Sequence, residues 1–119
     1  MFGESNGTVT GPLKGVKVLD WTMWQFGPVA SSMLGDMGAD VIKIEIPGAG
    51  DDTRHWGPPF VGEESAYFLS INRNKRSLTL NFKDPEAIKI FLQLAKDADV
   101  IVENFPPGVK KNFGLDHKY

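Results

Sequence analysis

Gln25 stands just ahead of Gly27 and Pro28, where a helix begins. Free N–H groups at such a start can hold a carboxylate, a phosphate or a developing oxyanion, and a glutamine amide adds a donor. The plainer reading of Gln25 is a loop residue. Trp21, Trp24 and Phe26 flank it and could wall a pocket or belong to the core. Arg73, Lys75 and Arg76 crowd one short stretch, which suits a phosphate or equally a solvated turn. Asp51 and Asp52 are placed to pair with Arg54. His55 has no visible orienting partner for general-base work. Glu45 ends an apolar run, where a ribose-binding acid would sit, though a solvated strand end is the simpler expectation.

These residues need elements to position them. "VKVLD" (Val16 to Asp20) is β-branched and apolar, so a buried strand. A helix follows, with Pro28 at its first position, Val29, Met33, Leu34 and Met37 on one face, and Gly38 closing it in a left-handed conformation. "DVIKIEI" (Asp40 to Ile46) is the second strand, completing a right-handed parallel βαβ unit. Gly48 to Phe60 keeps no period and reads as a long loop. A short helix (Ser65 to Ile71) and a third strand (Ser77 to Phe82) come next. Asp84-Pro85-Glu86 starts a helix that repeats Ile88, Phe91, Leu92 and Ala95. "DVIVENF" (Asp99 to Phe105) is a fourth strand, and "PPGVKKNFGL" begins a short helix or turn. The order predicts an α/β fold, an open parallel Rossmann-like sheet with flanking helices. Ligands of such sheets bind beyond the carboxyl ends of the strands, which singles out Asp20 to Gly27, Glu45 to Trp56, Asn81 to Lys83 and Glu103 to Gly108.

Composition narrows the chemistry. A net charge of −2 argues against a nucleic-acid module. With no cysteine there is no thiolate nucleophile or disulfide, and two distant histidines do not make a zinc site. No apolar run is long enough to span a bilayer. The polar residues 1–10 read as a disordered lead-in. The first turn lacks G-x-G-x-x-G, which argues against a dinucleotide bound in the usual manner. The residues alone reach an α/β ligand-binding domain with an anion-friendly rim.

"GPLKGVKVLDWTMWQFGPVASSMLGDMGADVIKIE", "PGAGDDTRHWGPPF", "SAYFLSINRNKRSLTLNFKDPE" and "ADVIVENFPPGV" together resemble the N-terminal segment of family III CoA-transferases, from about Gly11 to Leu115. The long "GDDTRHWGPP" form favours the transferase branch over the racemase branch. The resemblance implies transfer of CoA between an acyl-CoA and a carboxylic acid acceptor through an aspartyl-CoA thioester, with CoA as substrate and no permanently bound cofactor or metal. It places Gln25 and Phe26 beside the thioester. Leu80, Asn81, Phe82 and Lys83 fall at one CoA-lining strand end, and Asn104, Phe105 and Pro106 at the next. Two arginines that contact CoA in formyl-CoA transferase are replaced here by Ile46 and Asn112, so Lys110, Lys111 or Arg54 is expected to take over phosphate recognition. The loop from Gly48 to Phe60 is expected to border the acyl pocket or a subunit interface.

Family members run to several hundred residues, and none of the aspartates here matches their catalytic one. The resemblance therefore implies an incomplete N-terminal part, residues 11–119, inactive alone, of an enzyme that forms an intertwined homodimer at full length. The alternatives are an acyl-CoA racemase of the same family and a non-catalytic CoA-binding domain. A cytoplasmic setting is expected, with a mitochondrial one as the alternative, and neither nucleic acid nor membrane as a partner.

Overall fold

The computed structural model describes residues 9–115, so the first eight residues of the expected lead-in lie outside the described residues. Four parallel strands form one sheet in the order β5-β2-β1-β6. They are β1 (Lys17–Trp21), β2 (Asp40–Glu45), β5 (Lys75–Thr79) and β6 (Val100–Glu103). Helices α1 (Phe26–Asp36) and α3 (Pro85–Asp97) accompany it. The expected α/β sheet is thus present. The third strand begins and ends earlier than the sequence suggested, so Leu80, Asn81 and Phe82 follow it rather than end it.

The two sheet faces differ in chemistry. Because side chains alternate along a strand, Leu19, Trp21, Ile42 and Ile44 share one face. They pack with Leu80, Ala87, Phe91 and Leu94. The other face starts apolar, with Val18 and Val41. It turns charged toward the carboxyl ends, where Asp20, Lys43 and Glu45 are buried. Parallel strands covered on both faces usually run continuously apolar, so these charges must be paired.

Helix α1 covers that charged face with small residues. Gly27, Pro28, Ser31, Ser32 and Gly35 are buried, whereas Met33 and Met37 are exposed, which overturns the apolar stripe expected from spacing. The reason is close approach. A Cβ on Gly35 would lie 3.1 Å from Asn74, and Ser31 Oγ donates to Asp20 Oδ2 at 2.7 Å. The helix ends as anticipated: Gly38 has φ +99°, its N–H donates to Gly35 O, and the Ala39 N–H donates to Leu34 O.

Helix α3 starts at the expected cap, Asp84 accepting from the Glu86 N–H at 2.9 Å. It buries Ala87, Phe91 and Leu94, with Leu92 left exposed. The long loop has more structure than its sequence suggested. It holds a 3₁₀ turn (Asp52–His55) and leads into a small antiparallel hairpin of β3 (Phe60–Val61) and β4 (Glu64–Ser65). Ser65 then caps α2 (Ala66–Ile71) by accepting from the Phe68 N–H. One turn of helix, α4 (Val109–Asn112), follows β6.

Candidate functional site

A cleft of about 560 Å³ opens beyond the carboxyl ends of the strands, where the sheet rule places ligands. One wall is aromatic. Trp21, the last residue of β1, stacks on Phe82 with ring centroids 4.8 Å apart and meets Phe105 edge-on at 4.8 Å. Phe113 closes on both Trp21 and Phe82. A second, mixed wall is formed by Thr22, Glu45, Gly50 and Asp51 together with the apolar Ile44, Ile46 and Pro47, with Asn81 and Lys83 also in the lining. A site with aromatic faces on one side and a lysine in its lining suits an elongated amphiphile carrying an anionic group.

Behind Thr22, Glu45 and Asp51 lies a chain of ion pairs. Lys75 Nζ sits 2.9 Å from Asp20 Oδ2 and donates to Pro28 O and Asn72 Oδ1. The Thr22 hydroxyl also donates to Asp20. Burial pushes the Lys75 ammonium below its ordinary value, against the pull of Asp20. Lys43 Nζ lies 3.0 Å from Asp51 Oδ2 and donates to Thr22 O at 2.9 Å. Its approach to Asp51 Oδ2 is an ion contact off the hydrogen-bonding direction, and no hydrogen bond reaches that buried oxygen. Glu45 accepts Arg54 through both oxygens, at 2.8 and 2.7 Å, and also accepts the Ser77 hydroxyl and the Asp51 N–H. Burial alone would raise the Glu45 carboxyl; Arg54, Ser77 and Asp51 outweigh it and hold it at about 2.

Several expectations change here. Glu45 is a buried, fully engaged acid rather than a solvated strand end. Arg54 pairs with it and not with the neighbouring aspartates. The basic cluster is divided among three carboxylates: Arg73 to Asp36, Lys75 to Asp20 and Arg76 to Asp40. That leaves no shared phosphate cradle: Lys75 and Arg76 are successive residues of β5 and point to opposite faces, and Arg73 lies before the strand. Lys110 pairs with Glu103 at 2.7 Å, while Lys111 is exposed. His55 Nε2 lies 3.1 Å from Ala49 O.

Of the residues singled out beforehand, Asn81, Phe82, Lys83 and Phe105 line the cleft. Leu80 supports it from the core. Gln25 and Phe26 follow the lining residues Thr22 and Met23 in the chain but do not line the cleft themselves, and Phe26 is 88% exposed. Pro106 is exposed beside Phe105. Asn104 turns its side chain to Met23, accepting its N–H at 3.1 Å and donating to its carbonyl at 2.8 Å. Lys43 and Phe113 lie outside the stretches singled out from the sequence, and Thr22 lies inside one of them without having been named. Lys43 had a signal: a lysine between Ile42 and Ile44 inside a buried strand demands a partner.

The family model described as CoA-transferase family III matches residues 13–119. The chain belongs to CoA-transferase family III. Human succinyl-CoA:glutarate CoA-transferase is 58% identical over 107 residues, which are 90% of this chain and 24% of that protein. The formyl-CoA:oxalate CoA-transferase of Escherichia coli is 48% identical over 87% of the chain and 25% of its own length. A CAIB/BAIF family crystal structure from Brucella suis superposes with a TM-score of 0.85 at 46% identity, covering 91% of this chain and 29% of that one. The chain thus spans about a quarter of the length of the curated relatives it matches, corresponding to their N-terminal part. Among the described residues no group of three or more His, Asp or Glu side chains could hold a metal ion, and no helix is long and apolar enough to cross a membrane.

Proposed function

We propose that this chain forms the CoA-binding part, residues 11–119, of an enzyme that transfers CoA between carboxylic acids. The observation that carries the reading is the half-aromatic cleft with Lys83 in its lining, at the strand ends of a family III chain. CoA joins a purine ring, a long amphiphilic arm and phosphates. Phe82 and Phe105 supply ring faces, Asn81 supplies a polar edge, and Lys83 and Lys111 face the phosphates. Leu80 and Pro106 shape the strand ends that carry them.

The turn bearing Gln25 and Phe26 then stands beside the thioester. An aspartate from outside these residues attacks the thioester carbonyl, and the C–S bond breaks to release CoA thiolate. The thiolate attacks the aspartyl carbonyl of the resulting anhydride and frees the donor carboxylate. The acceptor carboxylate and returning thiolate repeat the two steps in reverse. Gln25, with an amide donor, serves the developing oxyanion. In this reading the working enzyme is a homodimer, uses acyl-CoA as substrate and keeps no permanent cofactor.

The test is to incubate the intact natural protein with succinyl-CoA and either glutarate or oxalate, acids that occur in its relatives' names, and follow acyl-CoA products by mass spectrometry. New acyl-CoA supports transfer. Exchange of the α-proton without transfer would identify a racemase. CoA binding with neither would leave a binding domain.

A further inference from the structure

The turn from Thr22 to Trp24 carries Gln25, and almost none of its hydrogen bonding is its own. Lys43 donates to Thr22 O. Asn104 takes both the N–H and the carbonyl of Met23. The Trp24 N–H donates to Asp51 Oδ1 at 3.3 Å, and its indole N–H donates to Asp52 Oδ2 at 2.9 Å. Side chains from β2, the end of β6 and the long loop thus hold four consecutive backbone polar groups. Trp24 itself sits at φ +69°, a left-handed conformation uncommon for a tryptophan. Such a conformation persists where the surroundings over-determine it, and it clusters at functional sites. The turn fits closely: a Cβ on Gly27 would fall 2.5 Å from the Thr22 side chain and 3.1 Å from Asn104 Cγ.

We infer that Asn104 and Asp51 are positioning residues, which clamp the Met23-Trp24 turn from opposite sides and thereby set Gln25 against the reacting thioester. This rests on the proposed CoA transfer and departs from the expectation of the family resemblance at Asn104, which becomes a clamp instead of a CoA contact. With both amide atoms engaged by Met23, the side chain has its main polar groups already spent. Asp51 acts from the long loop, so that loop serves the site by holding the turn.

The experiment compares wild type, Asn104→Ala, Asn104→Asp and Asp51→Asn in the intact natural protein. It reads amide hydrogen exchange across residues 22–26, affinity for free CoA, and kcat for CoA transfer. Asn104 is only half-buried and its Asp variant keeps the acceptor for the Met23 N–H, so at least one variant retains the fold. The expected result is faster exchange at Met23 and Trp24, CoA affinity within about twofold of wild type, and kcat lower by about ten- to a hundredfold, as displaced catalytic groups give. Adding Gln25→Ala to Asn104→Ala should cost little more, since both act through one amide. Unchanged exchange at the turn overturns the clamp. A loss of CoA affinity with kcat preserved overturns it too, and makes Asn104 a ligand contact. If wild type shows no transfer, the functional reading fails, while exchange at the turn still decides the clamp.

Discussion

Replacing Glu45 by glutamine removes the charge that gathers Arg54, Ser77 and the Asp51 N–H. Its folded carboxyl titrates at about 2 against an ordinary 4.5. That difference corresponds to about 3 kcal/mol of stability, at 1.36 kcal/mol for each unit. The sign follows from the depressed value. The unfolded chain binds the proton more readily, so the contribution is complete above the unfolded value and fades as pH falls toward the folded one. Between neutral pH and about pH 3, about 2 kcal/mol of it should disappear. Urea unfolding of wild type and Glu45→Gln across that range measures it directly. The wild-type advantage should be largest near neutrality and narrow steadily on acidification. Two stability curves running parallel within about 0.5 kcal/mol would refute the reasoning, because Arg54 would then add nothing to the charged form that water does not.

Other outcomes follow from the same structure. Lys75→Met leaves Asp20 buried without its cation and should cost about 3–5 kcal/mol, whereas Asp20→Leu with Lys75→Met should recover most of it; urea midpoints read both. Gly27→Ala forces a methyl onto Thr22 and should destabilise by about 1–3 kcal/mol, seen as a lower melting temperature. Trp21→Ala empties the centre of the aromatic wall and should cost about 3–5 kcal/mol, with CoA affinity lost as well, checked by denaturation and calorimetric titration. Lys83→Ala should weaken CoA binding about tenfold in the intact protein and flatten its salt dependence, while Lys110→Ala, whose ammonium already pairs with Glu103, should do less.

The fold was legible where local chemistry and period agreed. "VKVLD" and "DVIKIE" are strands because their apolar runs are short and β-branched, and Asp84-Pro85 and Gly38 marked helix ends that proved real. Helix α1 was misread because spacing cannot reveal what a helix faces. Its Met33 and Met37 look like a core stripe, yet the face it meets carries Asp20 and Lys75 and takes small residues, Gly27, Pro28, Ser31, Ser32 and Gly35, with Leu34 alone of the expected stripe packed on Val18 and Val41. The cleft's position came from topology, and Phe82 and Phe105 came with it. The partners of Glu45, Arg54, Lys43 and Asp51 did not. They depend on a loop folding back over β2, and no local pattern in Gly48 to Phe60 announces that return.

The unlike faces of the sheet also fix how its strands can align. A slip of β2 by one residue would carry Lys43 and Glu45 in among Leu19, Trp21 and Phe91, and set Ile42 and Ile44 against Asp20 and Lys75. In an all-apolar parallel sheet such an error trades one oily contact for another. Here a slip by any odd number of residues strands several charges at once, so the buried ions act as a keyway that rejects those seatings of the strands.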